Sequence, residues 1–309
     1  MGRPRCKIVG FDGFDPDVLA NLIAFYYACG FLVDISRAPA DCELLVVQRG
    51  SYGGEVFATS ARACHIYDYV ASGTSDYHTA FPNIPERIVI SPAPKVSGAS
   101  TPSNCVLSCP PVVSRLWRNN EDGVSAAYEF VHIGHRKSHP QPDPWLEQMD
   151  TVALSGNCHF WGNGWNQLGP IPQSAAHGAA SLHNCQQIYR RATFALGVMY
   201  PYQRARTISG RMWQAPLNGC ALFSEAVLSN AHIPGVYETS DFGSLIGSPP
   251  EPPSRAALIN DASAYWDTVT LKLAGNLGLK YSAPGVSAAA LTYFKWVYLR
   301  HIKAHWRGF

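Results

Sequence analysis

The chain has 309 residues, 47% of them hydrophobic and 15% charged, with a net charge of +2 when histidine is neutral. That length favours two domains, and that composition excludes a disordered chain. The near-neutral balance lacks the basic sheath of a duplex-DNA binder, and no window supplies the roughly 20 apolar residues of a membrane span.

Met1 to Arg5 are polar, and Lys7–Phe11 already reads as a buried strand. No secretory leader is therefore expected, and the setting is expected to be cytoplasmic. Asp15–Cys29 follows as a helix, with Pro16 at a start position and Gly30 just past its end. Strands are predicted at Leu32–Ser36, Glu43–Gln48, His65–Tyr69 and Arg87–Ser91, with a helix at Gly53–Ala63. Alternation of this kind implies a parallel sheet wrapped by helices. Between Pro92 and Asn120 proline and serine replace periodicity, which marks a linker or surface loops.

The alternation resumes beyond that break. Tyr128–Gly134 reads as strand, Pro144–Asp150 as helix, Val152–Phe160 as an extended segment, His183–Ala192 as helix and Phe194–Val198 as strand. Gly210–Asn218 reads as helix and Ala221–Phe223 as a short strand. After Pro249–Pro253, helices are expected near Arg255–Leu273 and Ala288–Trp306. The expected architecture is α/β, with two Rossmann-like domains facing across a cleft and C-terminal helices. The divisions fall at 1–120, 121–250 and 251–309, the last packing back toward the first domain. Ligands of open α/β sheets bind at the carboxyl ends of the strands. Nine cysteines are scattered singly without a CxxC pair, which reads as buried thiols rather than a zinc or redox motif.

Four stretches carry a resemblance. Phe130-Val131-His132-Ile133-Gly134-His135-Arg136 resembles the strand, glycine turn and basic residue that open the nucleotide-binding lobe of GT-B glycosyltransferases. Cys158–Trp165, with Gly162, Gly164 and Trp165, is similar to a segment of the spore-maturation (CgeB-type) glycosyltransferase family. His177-Gly178 followed by Cys185–Ala192 resembles that family's loop and helix, and Thr207–Cys220 its later helix. The resemblance covers about a third of the chain. It implies a GT-B fold, and a nucleotide-sugar donor as substrate with no separate cofactor. The donor residues it implies are Gly134, Arg136, Gly164, Trp165, His177, Ser209, Gly210, Arg211 and Gln214.

Physical reasons stand beside the resemblance. Gly134 would let backbone approach a phosphate, Arg136 would offer a planar donor fork, and the amides of Ser209, Gly210 and Arg211 would open a helix toward an anion. The bland readings are that Gly162 and Gly164 only form a turn, and that Arg211 is an ordinary ion-pair partner. Where many retaining relatives carry two glutamates with seven residues between them, this chain has Arg206 and Gln214. Glutamine can still hydrogen-bond a ribose hydroxyl, without charge assistance.

Asp12 is the expected general base on the acceptor side, because Asp15 fits the helix cap better and leaves Asp12 for the cleft. His65 is the second catalytic candidate, and Asp68 and His78 are weaker ones. His132, His135, Lys137 and His139 crowd the Gly134 turn, yet no carboxylate stands at ligand spacing beside His135 and His139. No metal site is expected. The last helix mixes aromatics with cations, which suits packing on the first lobe or contact with an anionic membrane surface at the inner face. The expected activity is transfer of a sugar from a nucleotide-activated donor to a hydroxyl acceptor, a glycan or a lipid-linked saccharide. A nucleotide-sugar epimerase, a nucleobase-modifying glycosyltransferase and an inactive sugar-nucleotide binding protein are the alternatives. Near-neutral charge argues against duplex DNA as the acceptor.

Overall fold

A computed structural model describes residues 2–9, 16–35, 40–48, 60–67, 84–91, 106–108, 113, 124–136, 142–165, 174–180, 182–199, 201, 204, 208–225 and 232–282. The chain forms two compact units, Met1–Ser114 with Thr268–Phe309, and Arg115–Asp267.

The first unit is built on a six-stranded parallel sheet. In chain order its strands are β1 (Arg5–Val9), β2 (Leu32–Asp34), β3 (Leu44–Gln48), β4 (Ala63–Tyr67), β5 (Glu86–Ser91) and β6 (Val106–Ser108), arranged β2-β1-β3-β4-β5-β6. Helix α1 (Pro16–Ala28) joins β1 to β2. It buries Ala20, Leu22, Ile23, Phe25 and Tyr26, a spacing that keeps one side of the helix inward. Leu44, Leu45, Val46 and Val47 are all buried, as a central parallel strand covered on both faces demands. Strand β6 lies inside the stretch expected to be loop. Its three residues are too short for alternation to stand out among the prolines.

The second unit carries five parallel strands in the order β11-β10-β9-β7-β8. They are β7 (Tyr128–Ile133), β8 (His159–Trp161), β9 (Ala192–Gly197), β10 (Ala221–Ser224) and β11 (Val236–Glu238). Helix α2 (Pro144–Ser155) starts at Asp143, whose carboxylate accepts from the Trp145 and Leu146 N–H groups, and ends at Gly156 with φ 75°. Val152–Ser155 is therefore helix rather than extended chain. Met149, Val152 and Ala153 are the inward positions, three and four apart, and they outweigh the β-branched Thr151-Val152 pair. Helices α3 (Leu182–Arg190), α4 (Arg211–Leu217) and α5 (Phe242–Gly247) follow. The core packs Phe130, Phe160, Phe194, Leu196, Met149 and Phe242 together. A side chain of that size contributes about 1.5–3 kcal/mol when fully buried.

Helix α6 (Arg255–Asn276) begins in the second unit, where Trp266 meets Trp213 edge-on, and its last residues belong to the first. Past its end Tyr281 stacks on Phe25. The seven described cysteines are free thiols. No helix among the described residues is long and apolar enough to cross a membrane. The expected helices at 53–63 and 288–306 fall largely or wholly outside the described residues.

Candidate active site in the second unit

In the second sheet β7 is followed by β8 on one side and β9 on the other. The crevice of an open α/β sheet opens where the chain reverses in this way, outside the carboxyl ends of the two strands. Here that point lies beyond Ile133 and Gly197.

Arg211, the first residue of α4, reaches across it. Its Nε donates to the Ile133 carbonyl at 2.9 Å and its Nη1 to the Val198 carbonyl at 2.7 Å. One guanidinium thus ties the ends of β7 and β9, and its Nη2 has no acceptor among the described residues. The surface ion-pair reading of Arg211 is set aside by this geometry. Helix α4 buries Met212, Trp213, Ala215, Pro216 and Leu217, whereas Arg211 and Gln214 are half-buried. Residues three apart lie on one helix face, so these two share the less buried side. Ser209 and Gly210 lead into the helix; their carbonyls accept from Met212 at 3.0 Å and from Gln214 at 3.0 Å. N–H groups at a helix start have no intrahelical partner.

Gly134 is the residue just past β7. A Cβ on it would lie 2.9 Å from Arg211 Nη2 and 2.9 Å from His132 Nε2. Its N–H is already taken by the Trp161 carbonyl at 2.8 Å. The glycine therefore makes room for a guanidinium rather than aiming its own amide at an anion. His132 is 3% exposed, and its Nδ1 lies 2.9 Å from the Leu196 carbonyl. Burial, and secondarily the Arg211 charge, push its pKa down to about 3, so the ring is neutral.

The remaining predicted residues have other work. Arg136 turns its fork onto Asp150 of α2, Nε to Oδ1 and Nη2 to Oδ2, both at 2.9 Å. The fork expected for a diphosphate thus grips a carboxylate, the partner its planar geometry also fits. Trp165 is buried and donates Nε1 to the Gly134 carbonyl at 2.7 Å. Gly162 and Gly164 have φ of 146° and 91°, and a Cβ there would meet the Gly134 oxygen at 2.1 Å and the Arg136 oxygen at 2.4 Å. They lock two loops together, so their chemistry is close backbone contact. His177 is exposed and stacked on Trp161, with Nε2 2.9 Å from His159 Nδ1. His135 accepts the Asn163 N–H on Nδ1.

His65 lies in the interior of the first unit, its Nδ1 2.7 Å from the Tyr26 hydroxyl, with burial lowering its pKa to about 4. That is a packed polar group, without the access to substrate a general base needs. Asp12, Asp15, Asp68, His78, Lys137, His139 and Arg206 lie outside the described residues.

A buried network gave no sign of itself in the sequence. Arg204 grips Asp143 through Nη1 to Oδ2 at 2.6 Å and Nη2 to Oδ1 at 2.7 Å, and reaches Glu225 Oε1 from Nε at 3.1 Å. Glu225, 2% exposed and just past β10, also accepts from the Met199 N–H and from Ser224 Oγ. The network ties the start of α2 to the ends of β9 and β10. The one local signal is Asp143 before Pro144, a helix cap; nothing in the sequence joins it to Arg204 and Glu225, far along the chain.

The sequence matches no family model and no curated protein. Among solved structures it is similar to AviGT4, a glycosyltransferase involved in avilamycin A biosynthesis, with TM-score 0.58 and 11% identity over 88% of this chain and 96% of that one. It is also similar to Anabaena HepE in complex with UDP-glucose, with TM-score 0.57 and 11% identity over 88% and 98% of the two chains. T4 phage BGT in complex with its UDP-glucose substrate gives TM-score 0.54 and 12% identity over 90% and 100%. Likeness at such low identity speaks of architecture, and all three are covered almost end to end. The two parallel-sheet α/β units of this chain have the fold of GT-B glycosyltransferases.

Proposed function

We propose that this chain is a glycosyltransferase that holds a nucleotide-activated sugar at the crevice beyond β7 and β9 and passes the sugar to a hydroxyl acceptor. The observation that carries this reading is Arg211, a guanidinium with Nη2 in hand at the switch point, on the same helix face as Gln214. Loss of a nucleotide from a sugar leaves negative charge on a phosphate oxygen, which a fixed cation stabilises most in the transition state. Gln214 suits a ribose hydroxyl, and the Ser209 and Gly210 amides at the helix start suit the diphosphate. HepE and T4 phage BGT, which have UDP-glucose complexes, make a uridine nucleotide the first to try. The motifs resemble those of the spore-maturation (CgeB-type) group, and Asp12 takes the role of base on the acceptor side. A glycan or lipid-linked acceptor and a cytoplasmic setting complete the reading.

The test is a melting-temperature screen with UDP, GDP, ADP and dTDP, each free and as the glucose conjugate. A ligand that binds only the native state raises the midpoint. One nucleotide should do so, and Arg211→Ala should weaken it by about 1–3 kcal/mol, the loss of a charge-assisted bond. Absence of any shift at millimolar concentrations would overturn the reading. One protein of this fold is a DNA-modifying beta-glucosyltransferase, so duplex DNA belongs in the acceptor panel; salt-insensitive or absent binding removes it.

A further inference from the structure

His132, 3% exposed near the end of β7, has one ring nitrogen committed to the Leu196 carbonyl and the other beside Gly134 and Arg211. A carbonyl oxygen can only accept, so the 2.9 Å contact with Leu196 fixes the proton on Nδ1. The neutral ring then carries a lone pair on Nε2. That nitrogen has no partner among the described residues. It borders the space a Gly134 side chain would fill, as does Arg211 Nη2, each 2.9 Å from the would-be Cβ. The crevice therefore presents a donor and an acceptor together. A fully ionised phosphate satisfies the donor and repels the acceptor, whereas a hydroxyl group satisfies the acceptor.

We propose that His132 accepts a hydrogen bond from a hydroxyl of the bound nucleotide-sugar, and so makes the crevice selective for a hydroxyl-bearing ligand over a bare phosphate. This rests on the donor-site reading above and names a specificity residue within it. Aromatic neighbours fix the ring in place, with Phe160 against it at 5.5 Å and Trp165 edge-on at 5.2 Å between centroids. Gly134, which carries no side chain, lies directly against Nε2.

Two variants separate this role from packing. His132→Asn keeps a donor for the Leu196 carbonyl and removes the acceptor at the Nε2 position; His132→Gln can return an acceptor there. Calorimetry would use three probes: pyrophosphate, the nucleoside diphosphate that stabilises the wild type best, and its glucose conjugate. His132→Asn should bind the hydroxyl-bearing ligand roughly 2- to 12-fold more weakly, the scale of one neutral hydrogen bond, with pyrophosphate unchanged. His132→Gln should recover part of the loss. A loss already present with the diphosphate assigns the ribose, and a loss confined to the conjugate assigns the transferred sugar; either supports the proposal. Equal affinity of wild type and His132→Asn for every probe, or an equal loss with pyrophosphate, would overturn it. If the wild type binds no nucleotide, the donor-site reading itself fails. If it binds and only Arg211→Ala weakens it, the reading stands and His132 is structural.

Discussion

At the scale of single residues, two glycines near the site do different things. Gly162 combines a φ of 146° with a neighbour, the Gly134 carbonyl, that is backbone and is pinned by Trp165. Gly162→Ala should destabilise the second unit by about 1–3 kcal/mol, as overpacking against an immovable atom does, and a chemical denaturation curve reads it. Gly134 meets only the ends of two side chains, Arg211 and His132. Gly134→Ala must displace the Arg211 guanidinium or the packed His132 ring, so it should weaken nucleotide binding as well as lower the denaturation midpoint. A variant that unfolds without losing ligand affinity at low denaturant would contradict this division of labour.

At the scale of elements, Arg204 decides how the second sheet's end is held. The Arg204 fork keeps the Asp143 carboxyl below the usual carboxylate range, against the opposing effect of its own burial. Arg204→Met leaves two buried carboxylates, Asp143 and Glu225, without their cation. Removing one partner of a buried pair costs about 3–5 kcal/mol, so this substitution should outweigh Arg136→Met, whose partner Asp150 is partly exposed and which should cost under about 1 kcal/mol. Because the folded Asp143 is depressed, its stabilisation is complete above its unfolded pKa, near 3.9, and drains away as pH falls through the folded value. Urea titrations of the two variants at neutral pH test the ranking. Equal losses would show that the Arg204 network holds the sheet no more firmly than a surface pair.

At the scale of the whole molecule, the described residues of each unit contain a buried neutral histidine, His65 in the first and His132 in the second. Their folded pKa values, about 4 and about 3, lie below the usual 6.5. The unfolded chain therefore binds protons that the folded chain refuses, and stability falls as pH drops below about 6.5. Each histidine removes up to about 1.4 kcal/mol per pH unit until its folded value is reached. Melting curves between pH 7.5 and 5 should show a fall that begins near 6.5, well above the carboxylate range. His65→Gln should flatten the share of the first unit alone. A melting temperature flat down to pH 5 would mean that both rings accept protons in the folded state.

Much of the architecture was written in the sequence because it depends on local periodicity. Strand-sized apolar runs such as Leu44–Gln48 and Tyr128–Ile133, and helix signals such as Pro16 and Gly30, act over a few neighbours. Four of the described strands have only three residues, too few to carry a period; β2 still falls within an expected strand, Leu32–Ser36, whereas β6 and β11 do not. The Val152–Ser155 end of α2 depended on which side faced a core that only the folded chain supplies. Arg211 and Gly134 were legible through their motifs, and the motif could not say that Gly134 spends its amide on Trp161. Nor could it give Arg136 its partner, Asp150, or pick His132 from a cluster of histidines. Strand and glycine-turn positions could be read from the chain alone, since they follow from bonding and sterics between near neighbours. Which charged groups face each other is fixed by folding, because pairs such as Arg204 with Asp143 meet only when segments far apart in the chain are brought side by side.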